Sequence, residues 1–105
     1  MQPTGRGGPE WGAASEELNA TVLAWPPGGG TPEHVNAERD VAVVVVAGSL
    51  ELTLDGAEQT LRAGEAAIVP KGVRRTLTAG ADGVRYATVH RKRAGLMPTR
   101  IARPR

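Results

Sequence analysis

Gly64-Glu-Ala-Ala-Ile-Val-Pro70-Lys-Gly72-Val-Arg-Arg75 is a short apolar run closed by a proline-x-glycine turn and followed at once by two arginines. Proline at 70 fixes φ and offers no backbone donor, so the chain leaves a strand there. Outward from this stretch the same punctuation recurs at Pro26-Pro27-Gly28-Gly29-Gly30, Gly48-Ser49, Asp55-Gly56 and Gly80-Ala-Asp82-Gly83. Turns spaced about 8 to 12 residues apart, with short strand-like runs between them, predict an all-β sandwich or barrel.

The runs agree with that fold class. Leu50-Glu-Leu52-Thr-Leu54 alternates apolar and polar, and Asp55-Gly56 behind it is a preferred two-residue hairpin turn, because both central positions need positive φ. Val41-Ala-Val-Val-Val-Val-Ala47 does not alternate, which predicts burial of both its faces. The outer cover is then either the N-terminal segment or a second subunit, and a homodimer is expected. No stretch has the periodicity and caps of a helix.

A chain of 105 residues supports one core. Its expected layout is a flexible N-terminal segment over 1–14, a barrel over 15–93 and a basic C-terminal tail over 94–105. With no phenylalanine and one tyrosine, the core must be built from aliphatic residues. The absence of cysteine excludes thiol nucleophiles, thiolate metal sites and disulfides. The first residues lack the apolar segment of a secretion signal and no run approaches a membrane span, so a soluble cytoplasmic protein is expected. Six of the thirteen basic residues lie beyond His90, where there is no acid, which leaves seven bases against eleven acids in the body. The positive charge therefore belongs to the tail. That tail has no aromatic residue on which a base can stack, which argues against nucleic acid as a partner.

Over about residues 17–91 the chain resembles the small single-domain bacterial cupins. Gly28, His34 and Gly48 match their first motif, and Gly64, Pro70 and Gly72 match the second; the fifteen residues between Gly48 and Gly64 suit the compact members. The resemblance implies a jelly-roll barrel, or double-stranded β-helix. In metal-bearing cupins three histidines and one glutamate converge on a transition metal inside the barrel. Carried over by position, His34 alone remains, with Asn36 in place of the second histidine, Val41 in place of the glutamate and Arg75 in place of the last histidine. A guanidinium has five donors, no acceptor and a fixed charge, so Arg75 repels a cation where a ligand should stand. No cofactor is expected on this reading.

Each candidate residue has a structural and a functional reading. His34 either closes a strand start through a hydrogen bond or lines the pocket, and Asn36, two residues on, lies on the same strand face and faces the pocket if His34 does. Arg75 either is solvated with Arg74 or points into the barrel, where it requires a carboxylate or an anionic ligand, and Glu38 and Asp40 are the nearest carboxylates by sequence. Tyr86, Thr88 and His90 share one strand face that either lines the pocket or looks outward. His34 and His90 are the candidate proton carriers for catalysis.

Three functions compete. The first is a homodimeric container for a small polar or anionic molecule, with His34, Asn36, Arg75, Tyr86 and His90 as ligand-binding residues. The second is a metal-dependent oxygenase, isomerase or lyase with a displaced divalent-metal set of His34, His90 and Glu38. The third is a non-catalytic sensor or assembly module whose interior is closed by an ion pair from Arg75 to Glu38 or Asp40. The sequence alone names no substrate.

Overall fold

A computed structural model of the protein describes residues 7–92, and these form seven strands with no helix. They are β1 (Gly8–Ala14), β2 (Leu18–Trp25), β3 (Gly30–Val35), β4 (Val41–Leu54), β5 (Ala57–Arg62), β6 (Ala66–Val69) and β7 (Arg74–Arg91). All pairings are antiparallel, in the order β1-β2-β7-β4-β5, with β3 added on β7 and β6 on β4. Among the described residues no helix is long and apolar enough to cross a membrane.

The two long strands make the jelly roll. The first half of β7 runs between β3 and the end of β4, while its second half runs between β2 and the start of β4. Irregular pairing between Val45 and Ala47, and again between Gly48 and Leu50, bends β4 from one half to the other. Gly48 sits at that bend with φ of 77°, and a Cβ there runs into the carbonyl oxygen of Gly83. The expected hairpin is present: Leu54 pairs with Ala57, and Asp55 and Gly56 have φ of 48° and 86°.

Side chains on directly opposed residues share a face. The inward rows converge on one aliphatic core in which Leu50, Leu52, Val69, Val43 and Val45 are sealed, together with Tyr86. Each such aliphatic side chain contributes about 1.5–3 kcal/mol of burial free energy. Tyr86 is the one aromatic in the sealed set, and its hydroxyl is met by the indole Nε1 of Trp25 at 3.1 Å.

Two expectations are corrected. Residues 8–14 are not a loose segment: they form the edge strand β1 along β2, from Gly8 opposite Ala24 to Ala14 opposite Asn19. An edge strand is held by backbone hydrogen bonds and needs no apolar alternation, and Glu10 adds a two-pronged ion pair to Arg85 at 2.8 and 3.2 Å. The barrel therefore begins near residue 8. The second correction concerns Val41–Ala47, which does alternate in space: Val41, Val43 and Val45 are buried, whereas Val44 and Val46 are exposed. β1 does not cover that outer face but extends it. One cross-strand row there reads Trp11, Val22, Ala87, Val44, Ala66 and the next reads Ala13, Ala20, Val89, Ala42, Ile68, all apolar. The tail over 94–105 lies outside the described residues, as does the chain before residue 7.

Candidate functional site at the barrel mouth

Arg75 follows the Pro70–Gly72 turn as the second residue of β7, and period-two geometry puts it on the face of Leu77 and Ala79. It is 4% exposed, so its guanidinium is inside. The anticipated ion pair to Glu38 or Asp40 is absent: ion pairs among the described residues join Arg39 to Glu38, Arg74 to Glu33 and Arg85 to Glu10. Asp40 accepts instead from the Lys71 amide at 2.9 Å, a contact that tethers the turn. Arg75 is held by carbonyls, with Nε donating to Val73 at 3.3 Å and Nη2 donating to Val73 at 3.2 Å and Pro70 at 3.4 Å. Burial without a counter-charge pushes the guanidinium pKa below its ordinary value.

The remaining nitrogen is the chemically informative one. Nη1 makes no hydrogen bond among the described residues, yet the sealed side-chain atoms without a partner are only Thr31 Oγ1 and Arg39 Nε. Nη1 is therefore not completely sealed, and its two donors are unused by the described residues.

His34 stands directly opposite Arg75 on β3, so their side chains share a face, but its ring is exposed at the strand end. Its Nδ1 donates to the Pro32 carbonyl at 3.1 Å, which leaves Nε2 as an acceptor on the neutral ring. Asn36 does not join it. β3 ends at Val35, and the Asn36 carboxamide oxygen accepts from the amides of Glu38 and Arg39 at 3.0 and 3.2 Å, an Asx turn that shapes the loop into β4. The strand rule fails at Asn36 because the strand has already stopped.

On the opposite side of the mouth, His90 is directly paired with the buried Val41, and Thr88 with the buried Val43. Both are therefore core-facing, although only half-buried. Nδ1 of His90 donates to the Arg91 carbonyl at 3.0 Å. Tyr86, on the same face, is sealed at 1% exposure, and burial raises its phenol pKa, with the Trp25 hydrogen bond opposing in part. It is a core residue with no free access to the mouth. Sequence reasoning missed Asn19 and Thr21 on β2, which lie opposite His90 and Thr88. Their signal was the alternation Asn19-Ala-Thr21-Val at the start of β2.

The metal set of His34, His90 and Glu38 is not assembled, and no group of three His, Asp or Glu among the described residues is placed to hold an ion. At the positions where the resemblance puts ligands, Val41 has no donor atom, Arg75 is cationic and the Asn36 oxygen already accepts two amides. These residues do not fit a divalent cation. A separate open cleft of about 230 Å³ lies at the β4 bend, between Trp25, Pro26, Pro27, Gly48 and Asp82, away from these groups.

A bent antiparallel jelly roll with a sealed aliphatic floor and polar groups at its open end is a β-container. The chain belongs to the cupin family: residues 21–89 match the Cupin_2 cupin domain. Solved structures agree on the fold. KdgF from Halomonas sp. superposes with a TM-score of 0.71 at 22% identity, over 77% of this chain and 75% of that one. A second protein, TT1209 from Thermus thermophilus, gives 0.71 at 22% identity over 82% and 81%. The cupin protein BF4112 from Bacteroides fragilis gives 0.67 at 20% identity over 80% and 73%. A search of curated proteins returned no significant match.

Proposed function

We propose that this cupin holds a small anionic molecule at the barrel mouth, paired to Arg75, without the metal tetrad of the metal-bearing cupins. The observation that carries this reading is the buried guanidinium that has backbone carbonyls behind it, no ion pair to a carboxylate among the described residues and an Nη1 that none of them engages. A buried cation of this kind costs several kcal/mol when no anion accompanies it, and a bound carboxylate or phosphate offsets that cost. His34, on the same face as Arg75, supplies an acceptor through Nε2, and His90 faces the mouth from β7. Asn36 shapes the loop and has no place in the ligand set.

The test is thermal melting of tag-free protein with acetate, phosphate and chloride at equal ionic strength, with metal content measured on the same sample. Stabilisation by an oxyanion that vanishes in Arg75→Met supports the reading. A stoichiometric transition metal lost on His34→Ala would replace it with the metal-dependent enzyme.

We also propose that the protein is a homodimer closed through the outer face of β1, β2, β7, β4 and β6. Two adjacent rows of five apolar residues, with Trp11, Val44 and Ile68 at 58%, 37% and 62% exposure, support a second copy as the cover. These two rows contain no charge, so two copies can meet across them without burying one.

A further inference from the structure

The mouth carries a second recognition element that the anion reading does not use. Asn19 lies opposite His90, which lies opposite Val41, and Thr21 lies opposite Thr88, which lies opposite Val43. Val41 and Val43 point into the core, so the four polar side chains point the same way. Core-facing residues in a closed barrel are normally sealed, but these are half-buried, which places them around the opening. Asn19, Thr21 and Thr88 make no side-chain hydrogen bond among the described residues, and none is among the sealed unpartnered atoms. They form a block of hydroxyl and amide groups, two residues wide and two strands across, that protein contacts leave unused.

The block is within reach of Arg75. Val41, the partner of His90, is paired on its other side with Val69, and Pro70, the next residue, accepts from the Arg75 guanidinium. With neighbouring strands about 4.8 Å apart, His90 and Val69 are separated by roughly 10 Å across β4. A small molecule in the mouth can touch both.

From this we infer that the ligand is a short hydroxylated carboxylic acid, its carboxylate on Arg75 and its hydroxyl groups on Asn19, Thr21, Thr88 and His90. This rests on the anion reading above. Threonine hydroxyls and an asparagine amide both donate and accept, as the hydroxyl groups of such a ligand do. With Nε and Nη2 engaged by carbonyls, Nη1 can give one charge-assisted hydrogen bond to a carboxylate oxygen. The aromatic nearest the block, Tyr86, is sealed and offers no stacking face, which argues against a nucleobase or another flat ring.

Calorimetric titration with matched probes tests the assignment: glycerate and gluconate carry charge and hydroxyl groups, propionate and hexanoate carry charge alone, and glucitol carries hydroxyl groups alone. Wild-type protein should bind at least one hydroxy acid about ten-fold more tightly than its unsubstituted counterpart. The isosteric double variant Thr21→Val/Thr88→Val should erase that preference while keeping the weak binding of hexanoate. Its circular dichroism and melting report whether the fold holds, and Asn19→Ala is the independent second variant. Equal affinity for gluconate and hexanoate, with Arg75→Met abolishing both, would overturn the hydroxyl block and leave the anion reading standing. Binding of glucitol that equals gluconate and survives Arg75→Met would overturn the anion reading and the hydroxy-acid assignment with it, as would no binding of any of these carboxylates.

Discussion

The indole Nε1 of Trp25 donates to the phenolic oxygen of Tyr86 at 3.1 Å, joining β2 to β7 through the sole tyrosine of the chain. Burial raises that phenol above its ordinary value of 10.0. The folded state thus holds the phenolic proton more tightly than the unfolded chain. This stability is fully present below the unfolded value and is lost as pH rises through the folded one. Denaturant titrations at about pH 9 and about pH 11 should show a loss in the wild type that is smaller in Tyr86→Phe. At neutral pH, Tyr86→Phe should cost about 1 kcal/mol, because the indole N–H loses its acceptor.

Arg75→Met should leave the ligand-free barrel within about 1 kcal/mol of the wild type, or more stable. The substitution replaces a buried charge by an apolar chain of similar length. Chemical denaturation measures this, and a loss of several kcal/mol would mean that the carbonyl contacts to Val73 and Pro70 carry the turn.

Gly48→Ala should destabilise by about 2–4 kcal/mol, since the new Cβ meets the Gly83 carbonyl and the backbone is left-handed with φ of 77°. Gly56→Ala should cost less, because a Cβ there meets nothing within 4 Å and only the backbone strain remains. Melting temperatures of the two variants rank them.

Val44→Lys combined with Ile68→Lys should yield a monomer by sedimentation at micromolar concentration with the barrel intact by circular dichroism. Both positions are on the outer face and neither belongs to the core. A wild type that already sediments as a monomer would remove the second copy from the outer face.

Glu10→Gln should speed amide exchange along β1 and leave β4 and β7 unchanged. Glu10 fastens the edge strand to Arg85, and this pairing holds its carboxyl below the usual value.

Turn chemistry made most of the barrel legible. Asp55-Gly56, Gly28, Gly48, Gly64 and Gly72 all take positive φ, a requirement that shows in residue type alone. β1 was illegible because an edge strand needs only backbone partners. The outer face of β4 looked like a second buried face because a valine run gives no sign of where its cover comes from. At the mouth, period-two geometry required Arg74 and Arg75 to face opposite ways but left open whether Arg75 was the inward one. Its carbonyl partners were not legible, since backbone acceptors leave no trace in composition. Asn36 was misplaced by one residue of strand length, and Asn19 and Thr21 were passed over because a lone polar alternation resembles any half-exposed strand.

β7 pairs with β2, β3 and β4, contributing Leu77, Ala79, Val84 and Tyr86 to the core, and most of its partners lie many tens of residues earlier. Until that strand arrives, β2, β3 and the two ends of β4 have no common neighbour. Closing the barrel consequently depends on the distant pairings of β7, which carry a loop-closure cost. During synthesis, the valine-rich β4 can pair with β5 and β6 as they emerge, but its other edge stays open until β7 follows, and that interval exposes the protein to sticking to its neighbours.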